Sequence, residues 1–478
     1  MHKLWTHEDI KQALDVAPTG EFSANGISID SRNLQKGDLF VALQGPLHNG
    51  AEYVTHAFAQ GAAAAIVSDS VKEDNLLKGI TGPCIYVSDT QQALQKLAIF
   101  ARNRTQATIV GITGSFGKTG TKEALRLILS SQGDVTANQR SFNNHWGVPL
   151  TLAQLRQEDD FGLIEMGMNN PGEIKISSQL ARPHVALILN VRAMHLQGLG
   201  SIEGIASAKA EIFAGMSPGS VAVLNADDVT YPMVRKLAEQ KNLKIFSFGS
   251  KSEVDFQLIE VQSTPNYLRL KVRLQDQEKS LSLPPLGEHW ALNVLGILAV
   301  AKAVDFDFDQ AITCLQRYQL PEGRGSCHAV PYKKGEIIVI DESYNAGVDS
   351  MKAALKVLGS YKTGRRIAIL GDMNEIGPES VTQHQNLKQV LQDNAVDLVF
   401  TCGVMMKHLH DVLPISMKAG YAADVKELIP EVLNTVQSGD VIMIKGSKGQ
   451  YAEKGRMYAF VSALLKQAAD QEGAIKSA

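Results

Sequence analysis

The sequence contains few cysteines, no excess of charge of either sign and no long apolar run. Its four cysteines lie far apart and form no Cys-x-x-Cys pair, so neither a disulfide framework nor a thiolate zinc site is expected. The formal net charge of −3 provides no strong field that would attract nucleic acid or an anionic membrane. No apolar run approaches the roughly 20 residues that a membrane span requires, and residues 1–9 lack the apolar segment of a signal peptide. We therefore expect a soluble, cytoplasmic protein with reduced thiols that binds neither nucleic acid nor membranes.

The overall composition is that of an ordinary globular protein. Hydrophobic residues make up 44% of the chain and charged residues 20%, which excludes a largely disordered chain, a collagen and a coiled coil. At roughly 100–200 residues per domain, a chain of 478 residues is expected to form about three domains.

The pattern of the sequence divides it into three blocks, 1–103, 104–320 and 321–478. In the first block, short β-like runs alternate with helix-like stretches, and no Gly-x-Gly-x-x-Gly motif is present. The second block alternates apolar strands with helices, which predicts a mainly parallel α/β sheet. Within it, residues 254–284 alternate with a period of two and predict an antiparallel excursion. The third block repeats the α/β pattern after a Pro/Gly-rich hinge at 321–325.

These blocks contain the following predicted elements. Strands are predicted at 37–43, 63–67, 84–87, 107–111, 161–166, 185–190, 221–225, 244–248, 336–341, 366–371, 397–402 and 441–445. Helices are predicted at 51–60, 90–102 and 118–130. The fold class expected is therefore α/β throughout.

The strongest local signal is a glycine-rich loop between a predicted strand and a predicted helix. It consists of Gly111, Ile112, Thr113, Gly114, Ser115, Phe116, Gly117, Lys118 and Thr119. Glycines allow backbone N–H groups to face phosphate oxygens, and the following helix adds its positive N-terminal end. Lys118 is placed to reach the β- and γ-phosphates, and the Thr119 hydroxyl is placed to bind Mg²⁺. Ile112 departs from the full P-loop pattern, so an ordinary tight turn followed by a lysine is the alternative.

Three further polar residues follow predicted strands or lie in a predicted helix. Glu165 ends an apolar strand, where a carboxylate can hold a cation against a nucleotide; an N-cap or a structural ion pair is the alternative. His195 follows the strand at 185–190, and a structural histidine is the alternative. Lys209 lies in a run of small residues, where a solvated lysine is the usual finding. Taken singly, none of the three predicts a site.

Residues 113–119 read Thr-Gly-Ser-Phe-Gly-Lys-Thr and resemble the T-G-[ST]-x-G-K-T motif of the Mur ligases of peptidoglycan synthesis. Further matches to the family are N-N-x-x-G-x-P-x-T-L at 143–152, E-[ML]-G at 165–167 and G-x-H-N-x-x-N at 287–293, with Trp290 in place of the usual Asn. His195, Lys209 and Arg324 fall where the family has a metal-binding His, a carbamylated Lys and the Arg of a Gly-Arg pair. Several matches in the family's order favour membership over coincidence.

Motifs at both ends of the chain resemble one branch of this family, which joins D-alanyl-D-alanine to UDP-N-acetylmuramoyl-tripeptide. Residues 341–351 resemble its D-[DE]-S-Y-N-A-x-x-x-S-M motif, and residues 370–377 with His384 resemble its L-G-D-M-x-E-L-G…H. Residues 30–32 and 37–45 resemble segments at which that ligase docks the UDP-sugar. The D-N-P-R motif usual in the diaminopimelate-adding branch is absent. The alternatives are a diaminopimelate- or lysine-adding ligase, a folylpolyglutamate synthase and, in another class, a P-loop regulatory NTPase.

The resemblance implies a ligase that transfers the γ-phosphate of ATP to the substrate carboxylate, after which the amine of D-alanyl-D-alanine attacks the acyl phosphate. It implies one Mg²⁺ held by Thr119 and Glu165, and a second held by His195 and carbamylated Lys209. The implied catalytic residues are Lys118, Lys209, Arg324 and His195. The implied nucleotide-binding residues are Thr113, Gly114, Ser115, Phe116, Gly117, Lys118, Thr119, Asn293, Arg324, Asp341, Tyr344 and Asn345.

The same resemblance implies a three-domain Mur ligase architecture. Its parts would be a small N-terminal UDP-substrate-binding α/β domain at 1–103, a central ATP-binding domain with a P-loop-type, mainly parallel sheet at 104–320, and a C-terminal Rossmann-like ligase domain at 321–478. The implied substrate-binding residues are Ser31, Arg32, Asn143 and Asn144. The implied partners are UDP-N-acetylmuramoyl-tripeptide and D-alanyl-D-alanine, and a monomer is expected. For His289 and His384, helix packing is the alternative to a ligand contact.

Overall fold

The computed structural model describes residues 3–45, 48–72, 75–192, 196–333, 335–374, 376–448 and 456–476. Its strands form four sheets in three successive stretches of the chain. A four-stranded sheet and a two-stranded ribbon precede residue 104, a nine-stranded sheet lies within 108–283, and a six-stranded sheet lies within 326–445. The α/β class predicted from the alternation of apolar runs is confirmed.

The N-terminal unit is a small parallel sheet with helices. Its elements are β1 Trp5–Thr6, α1 His7–Leu14, β2 Ser23–Ala24, β3 Gly26–Ser28, β4 Asp38–Val41, α2 Val54–Ala59, β5 Ala64–Ser68, β6 Cys84–Val87 and α3 Thr90–Arg104. Strands β3 to β6 pair in parallel in chain order, and β1 and β2 form an antiparallel pair. Helix α3 begins where the Asp89 carboxylate accepts hydrogen bonds from the N–H groups of Gln91 and Gln92. The helix predicted at 51–60 is shorter than expected, because Gly50–Tyr53 forms a 3₁₀ turn.

The central unit contains the nine-stranded sheet. Its elements are β7 Thr108–Thr113, α4 Lys118–Leu129, β8 Val135–Ala137, α5 Gly147–Ala153, β9 Phe161–Glu165, α6 Glu173–Ala181, β10 Val185–Ile188, α7 Leu196–Leu199, α8 Ile202–Ala210, β11 Val221–Asn225, α9 Tyr231–Gln240, β12 Lys244–Gly249, β13 Phe256–Ser263, β14 Leu268–Leu274, β15 Gln277–Leu283, α10 Trp290–Ala303 and α11 Phe308–Leu315. The strand order is β15-β14-β13-β12-β11-β10-β7-β9-β8. Strands β13 to β15 pair antiparallel, which confirms the excursion predicted for 254–284.

Strand β7 lies between β9 and β10. The next two strands in the chain, β8 and β9, lie on one side of β7, and the strands from β10 onward lie on the other side. In open α/β sheets, ligands bind at such a switch point, beyond the carboxyl ends of the strands. Helix α10 is apolar on nearly all sides because it is buried against the sheet and α4. Within the described ranges, no helix combines the length and the apolar character that would let it cross a membrane.

The C-terminal unit contains the six-stranded sheet. Its elements are β16 Ser326–Tyr332, β17 Gly335–Glu342, α12 Val348–Ser360, β18 Arg366–Gly371, α13 Ser380–Asp393, β19 Leu398–Cys402, α14 Met406–Val412, β20 Lys418–Ala422, α15 Val425–Thr435, β21 Val441–Lys445 and α16 Tyr458–Lys476. The order is β16-β17-β21-β18-β19-β20, with only β16 antiparallel to its neighbour. The sequence does not predict β16 or β20, because both are edge strands with weak apolar patterns. Pro331 is tolerated in β16 since an edge strand leaves N–H groups unpaired.

Candidate active site

The loop between β7 and α4 turns at two glycines with positive φ. Gly114 and Gly117 have φ of +156° and +82°, a region that glycine adopts without steric cost. A Cβ at Gly117 would lie 2.8 Å from Nδ2 of Asn293, and a Cβ at Gly114 would lie 3.0 Å from Cβ of Leu189. Helix α4 begins at Lys118, as predicted, so its unpaired N-terminal N–H groups adjoin the loop. This is the backbone arrangement that an anion requires.

Side chains and backbone groups that follow β10 hold this loop in place. Asn190 donates from Nδ2 to the carbonyl of Phe116 over 3.1 Å and accepts from the Phe116 N–H at Oδ1 over 2.9 Å. The Ser115 hydroxyl donates to the carbonyl of Arg192 over 3.1 Å and accepts from its N–H over 2.9 Å. The loop conformation is therefore fixed by its protein neighbours. His195, three residues beyond Arg192, lies outside the described residues, so its predicted role has no structural counterpart here.

Lys118 turns back over the loop that precedes it. Its Nζ donates to the carbonyls of Gly114 and Ser115 over 2.7 and 3.4 Å. Burial lowers the pKa of Lys118, the Glu165 carboxylate raises it, and the Arg324 guanidinium lowers it. The structure therefore brings together charges from α4, β9 and the predicted hinge. An anion at the loop would offset the repulsion between the two cations.

The Glu165 carboxylate lies at the end of β9, beside the start of α4. Its Oε1 accepts hydrogen bonds from the Thr119 hydroxyl over 3.1 Å and from Nδ2 of Asn143 over 2.6 Å. Its Oε2 is buried and has no partner among the described residues. The N-cap alternative is wrong, because the next helix, α6, takes Gly172 as its N-cap. A buried carboxylate oxygen without a partner, next to a threonine hydroxyl, suits a hard cation such as Mg²⁺.

The donors around Glu165 fit a cation that is bound together with a nucleotide. Across the described ranges, no group of three or more His, Cys, Asp or Glu side chains is arranged to hold a metal. In phosphate-binding sites, Mg²⁺ uses one or two protein carboxylates and takes its remaining ligands from phosphates and water. Thr119 and Glu165 are sufficient protein donors for such a site.

Lys209 lies on α8 and is only 3% exposed, so the alternative of a solvated lysine is wrong. Burial lowers its pKa far below the usual range, the Lys118 ammonium lowers it further, and the Asp228 carboxylate opposes the shift. A lowered pKa increases the fraction of the neutral amine. That is the form that reacts with CO₂ to give a carbamate.

Arg324 reaches the loop from the hinge between the central and C-terminal units. Its Nη2 donates to the Ser141 hydroxyl over 2.7 Å, and that hydroxyl lies 3.0 Å from Oγ1 of Thr119. Gly323 and Gly325, on either side of the arginine, have φ of +76° and +100°. The hinge therefore follows a path that residues with a Cβ rarely adopt.

The segment after β17 supports this arginine. The Tyr344 ring centroid lies 4.0 Å from Cζ of Arg324. The fully buried Asp341 carboxylate accepts hydrogen bonds from the N–H groups of Gly323 and Ser343 over 2.9 and 3.0 Å. Tyr344 thus lies against the arginine, whereas the buried Asp341 carboxylate holds the hinge backbone.

Lys445, at the end of β21, fixes the segment that carries Tyr344. Its Nζ donates to Oε2 of Glu342 over 2.9 Å and to the carbonyl of Asn345 over 3.0 Å. The Asn345 side chain is exposed, so the structure leaves it available to a ligand but does not bring it to the glycine-rich loop. The ion pair with Glu342 and the hydrogen bond to Asn345 therefore hold both ends of the segment that contains Ser343 and Tyr344.

A cleft of about 540 Å³ lies between α4 and the hinge. Thr119, Ser141, Arg324 and Tyr344 are among the residues that line it. The Asn293 side chain, on α10, occupies the space beside Gly117 of the same loop. The cleft has the size of a small-molecule site, and polar groups from two units of the chain converge on it.

Three family profiles match successive parts of the chain. Residues 23–102 match the Mur ligase family catalytic domain, residues 112–301 the Mur ligase middle domain, and residues 328–448 the Mur ligase glutamate ligase domain. A curated protein of Rickettsia prowazekii (strain Madrid E), named UDP-N-acetylmuramoyl-tripeptide–D-alanyl-D-alanine ligase, is 31% identical over 452 residues, which cover 94% of this chain and 98% of that protein. The chain belongs to the Mur ligase family.

Another relative and a solved structure are also similar to nearly the whole of this Mur ligase. A protein of the same name from Escherichia coli (strain K12) is 32% identical, over 91% of this chain and 93% of that protein. A crystal structure of MurF from Acinetobacter baumannii superposes with a TM-score of 0.82 at 27% identity, over 97% of this chain and 99% of that one. The three-domain Mur ligase architecture predicted from the motifs is confirmed.

The residues predicted to bind the UDP-substrate make contacts within this Mur ligase. Ser31 is buried, and Arg32 pairs with Asp30 through Nε and Nη2 at 2.9 and 2.6 Å. Asn144 accepts a hydrogen bond from the N–H of Gly147 over 2.9 Å at the start of α5. Asn143 donates to Glu165, as described above. The structure therefore places both asparagines in the segment between β8 and α5, and Ser31 and Arg32 in the N-terminal unit.

Two residues that shape the site of this Mur ligase, Ser141 and Lys122, are not predicted from the sequence. Lys122 is fully buried on α4; its Nζ donates to the carbonyls of Asn138 and Arg140 and lies 2.9 Å from Oε1 of Glu123. The loop that contains Ser141 is thereby tied to α4. The spacing Lys118-x-x-x-Lys122 places both lysines on one helix face, which was the available signal.

His384 and Trp290, for which the sequence left a ligand contact undecided, both pack inside the protein. His384 is fully buried, accepts from the Met373 N–H at Nε2 over 3.0 Å, and lies with Nδ1 2.7 Å from the Ser380 carbonyl. The helix-packing alternative is therefore correct for His384. Trp290 packs on Tyr318 with ring centroids 5.4 Å apart, and a Cβ at Gly120 would lie 2.7 Å from its ring. His289, by contrast, lines a separate cavity of about 380 Å³ between α10 and the C-terminal unit.

Proposed function

We propose that this chain joins D-alanyl-D-alanine to UDP-N-acetylmuramoyl-tripeptide, with conversion of ATP to ADP and phosphate. The observation that carries this proposal is the meeting of Arg324 with Thr119 through Ser141, beside the unpartnered oxygen of Glu165. Phosphoryl transfer requires mainly positioning and charge neutralisation, and this arrangement provides both. The proteins of Rickettsia prowazekii and Escherichia coli carry the same activity in their names.

In the proposed first step, an oxygen of the tripeptide carboxylate attacks the γ-phosphorus, and the bond to the β–γ bridging oxygen breaks, which releases ADP. Lys118 exchanges its hydrogen bond to the Gly114 carbonyl for the β- and γ-phosphate oxygens. N–H groups of residues 113–117 and the N-terminus of α4 stabilise the same charges. In the second step, the amine of D-alanyl-D-alanine attacks the acyl carbon, loses a proton and displaces phosphate.

Mur ligases use ATP and Mg²⁺, and we assign the Mg²⁺ ligands here to Thr119 and Glu165. When bound, the ion neutralises phosphate charge during the transfer. We assign a second ion to His195 and carbamylated Lys209. The surroundings of Lys209, buried and with a lowered pKa, support the carbamate. Enzyme prepared in ¹³C-bicarbonate is expected to show a carbamate carbon signal by NMR that Lys209→Arg lacks.

Arg324 is assigned to the γ-phosphate, where its planar guanidinium would contact two oxygens at once. The Tyr344 ring holds the guanidinium plane, and we assign Tyr344, Asn293 and Asn345 to the nucleoside side of ATP, with Asp341 supporting the hinge backbone beside them. Closure of the hinge would exclude water from the acyl phosphate.

We further propose that residues 1–103 bind the UDP-substrate through Ser31 and Arg32, that residues 104–320 bind ATP, and that residues 321–478 complete the ligase site. Asn143 would act on the UDP-substrate side of Glu165, and Asn144 would orient the start of α5. We place the reaction in the cytoplasm, where ATP and UDP-sugars are made, and expect a monomer.

The test is phosphate release from ATP and Mg²⁺ by the purified protein, with mass spectrometry of the products. The arms contain UDP-N-acetylmuramoyl-tripeptide alone, D-alanyl-D-alanine alone, and both together. Release only with both, together with a UDP-pentapeptide mass, is expected. Release with a UDP-dipeptide and a free diamino acid instead would move the protein to another branch. Phosphate release at the same rate with and without these substrates would contradict the ligase assignment and favour a regulatory NTPase.

A further inference from the structure

A chain of hydrogen bonds connects the hinge to the end of β9. Arg324 Nη2 lies 2.7 Å from the Ser141 hydroxyl, which lies 3.0 Å from the Thr119 hydroxyl, which lies 3.1 Å from Oε1 of Glu165. A guanidinium only donates and an ionised carboxylate only accepts. The two hydroxyls therefore share one orientation: Ser141 accepts from Arg324 and donates to Thr119, which donates to Glu165.

Ser141 is held by a loop that is fixed on both sides. On one side, Lys122 binds the carbonyls of Asn138 and Arg140. On the other side, Nδ2 of Asn138 donates to the Phe142 carbonyl over 2.5 Å, and its Oδ1 accepts from the Glu165 N–H over 2.6 Å. The position of the hydroxyl is therefore fixed relative to Glu165. A guanidinium that is hydrogen-bonded to the hydroxyl is fixed relative to Glu165 as well.

We propose that Ser141 is a positioning residue that aims Arg324 at the terminal phosphate and so sets the preference for a nucleoside triphosphate over a diphosphate. This inference rests on the proposed function, in which Arg324 contacts the γ-phosphate. The Tyr344 ring limits the plane of the guanidinium but leaves it free to slide across the ring. The Ser141 hydroxyl fixes the Nη2 nitrogen and so sets the rotation of the guanidinium within that plane.

The experiment measures binding of ADP and of a non-hydrolysable ATP analogue, both with Mg²⁺, by titration calorimetry on the full chain. Ser141→Ala is expected to lower the affinity for the analogue about tenfold, the size of one hydrogen bond to a charged group, and to lower ADP affinity by less than about threefold through the lost contact with Thr119. Ser141→Thr keeps a hydroxyl and is expected to restore the preference. The matched control is Ser131→Ala, which removes a hydroxyl that donates to the Ile128 carbonyl at the far end of α4.

ADP binding that stays within about threefold in Ser141→Ala shows that the loop has folded, so a lost preference then reports on the arginine. A double-mutant cycle with Arg324→Ala separates this inference from the proposed function. Ser141→Ala is expected to have no further effect on analogue binding once Arg324 is removed. If Arg324→Ala abolishes the preference but Ser141→Ala leaves it intact, only the role of Ser141 is overturned. If Arg324→Ala itself leaves the preference intact, the γ-phosphate role of the arginine falls too.

Discussion

The guanidinium of Arg324 lies 4.0 Å from the centre of the Tyr344 ring. The arginine belongs to the hinge, and the tyrosine follows β17 in the C-terminal unit. The contact therefore joins the residue that faces the glycine-rich loop to the part of the protein that is expected to move.

Tyr344→Leu removes this contact while keeping an apolar side chain. Since cation–π contacts contribute about 1 kcal/mol at partly exposed sites, kcat/KM for ATP is expected to fall about fivefold. Tyr344→Phe retains the ring and is the matched control, expected to stay within twofold of the unchanged protein. Steady-state kinetics with saturating peptide substrates measure both. Equal losses in the two variants would contradict a role for the ring face.

Lys122→Met leaves the carbonyls of Asn138 and Arg140 without their buried donor. We expect a loss of about 2–4 kcal/mol in the stability of the central unit, seen as a lower midpoint of denaturant unfolding. Lys236→Met, on the exposed face of α9, is the control and is expected to change stability by less than about 0.5 kcal/mol. A Lys122→Met protein as stable as the control would show that solvent satisfies those carbonyls.

Gly117→Ala tests the geometry of the phosphate loop. The new Cβ would meet Nδ2 of Asn293 at 2.8 Å, at a backbone φ of +82°. Gly219 has nearly the same φ, +84°, but nothing within 4 Å of its Cβ position. Both alanines are expected to cost about 1 kcal/mol of backbone strain, but only Gly117→Ala is expected to weaken ATP binding by tenfold or more. Unfolding curves measure the backbone strain, and calorimetric titration measures the loss of ATP affinity. Equal ATP affinities in the two variants would contradict a role for the Gly117 backbone in binding phosphate.

The buried His384 makes stability depend on pH. Burial lowers its pKa below the usual 6.5, opposed by its hydrogen bond to the Ser380 carbonyl and by Asp372. Below about pH 6.5 the unfolded chain binds a proton that the folded chain resists, so the stability that neutral His384 provides is lost as the pH falls through that range. His384→Gln is expected to lose less stability than the unchanged protein between pH 7 and pH 5, measured from urea midpoints. His56→Gln, at an exposed histidine, is the control and should lose as much stability as the unchanged protein. The same pH dependence of the urea midpoint in all three proteins would contradict a contribution from His384.

Much of the fold follows from local patterns. The strands Val221–Asn225, Arg366–Gly371 and Val441–Lys445 have the predicted bounds, because each is a buried apolar run between turn residues. Strand β16 is not predictable in this way: Pro331 argues against a strand, and only its position at the sheet edge makes the residue acceptable.

The residues of the candidate site also differ in whether a local sequence pattern predicts their positions. The loop from Gly111 to Thr119 and the strand-end Glu165 carry local signals that predict their places. The contact between Ser141 and Arg324 spans 183 positions, and no periodicity connects two such residues. Asp341 shows the reverse case: its motif predicts a ligand contact, but its carboxylate is occupied by the N–H groups of Gly323 and Ser343.

The place of Arg324 between two hinge glycines has a mechanical consequence. In a rotation, each atom travels in proportion to its distance from the pivot, so β20 at the rim of the C-terminal sheet sweeps a long arc while Arg324 moves little. If the C-terminal unit turns about these glycines, the arginine therefore keeps its distance to Ser141 over a range of angles. Under the proposed function, the arginine would therefore reach the terminal phosphate at more than one angle between the two units.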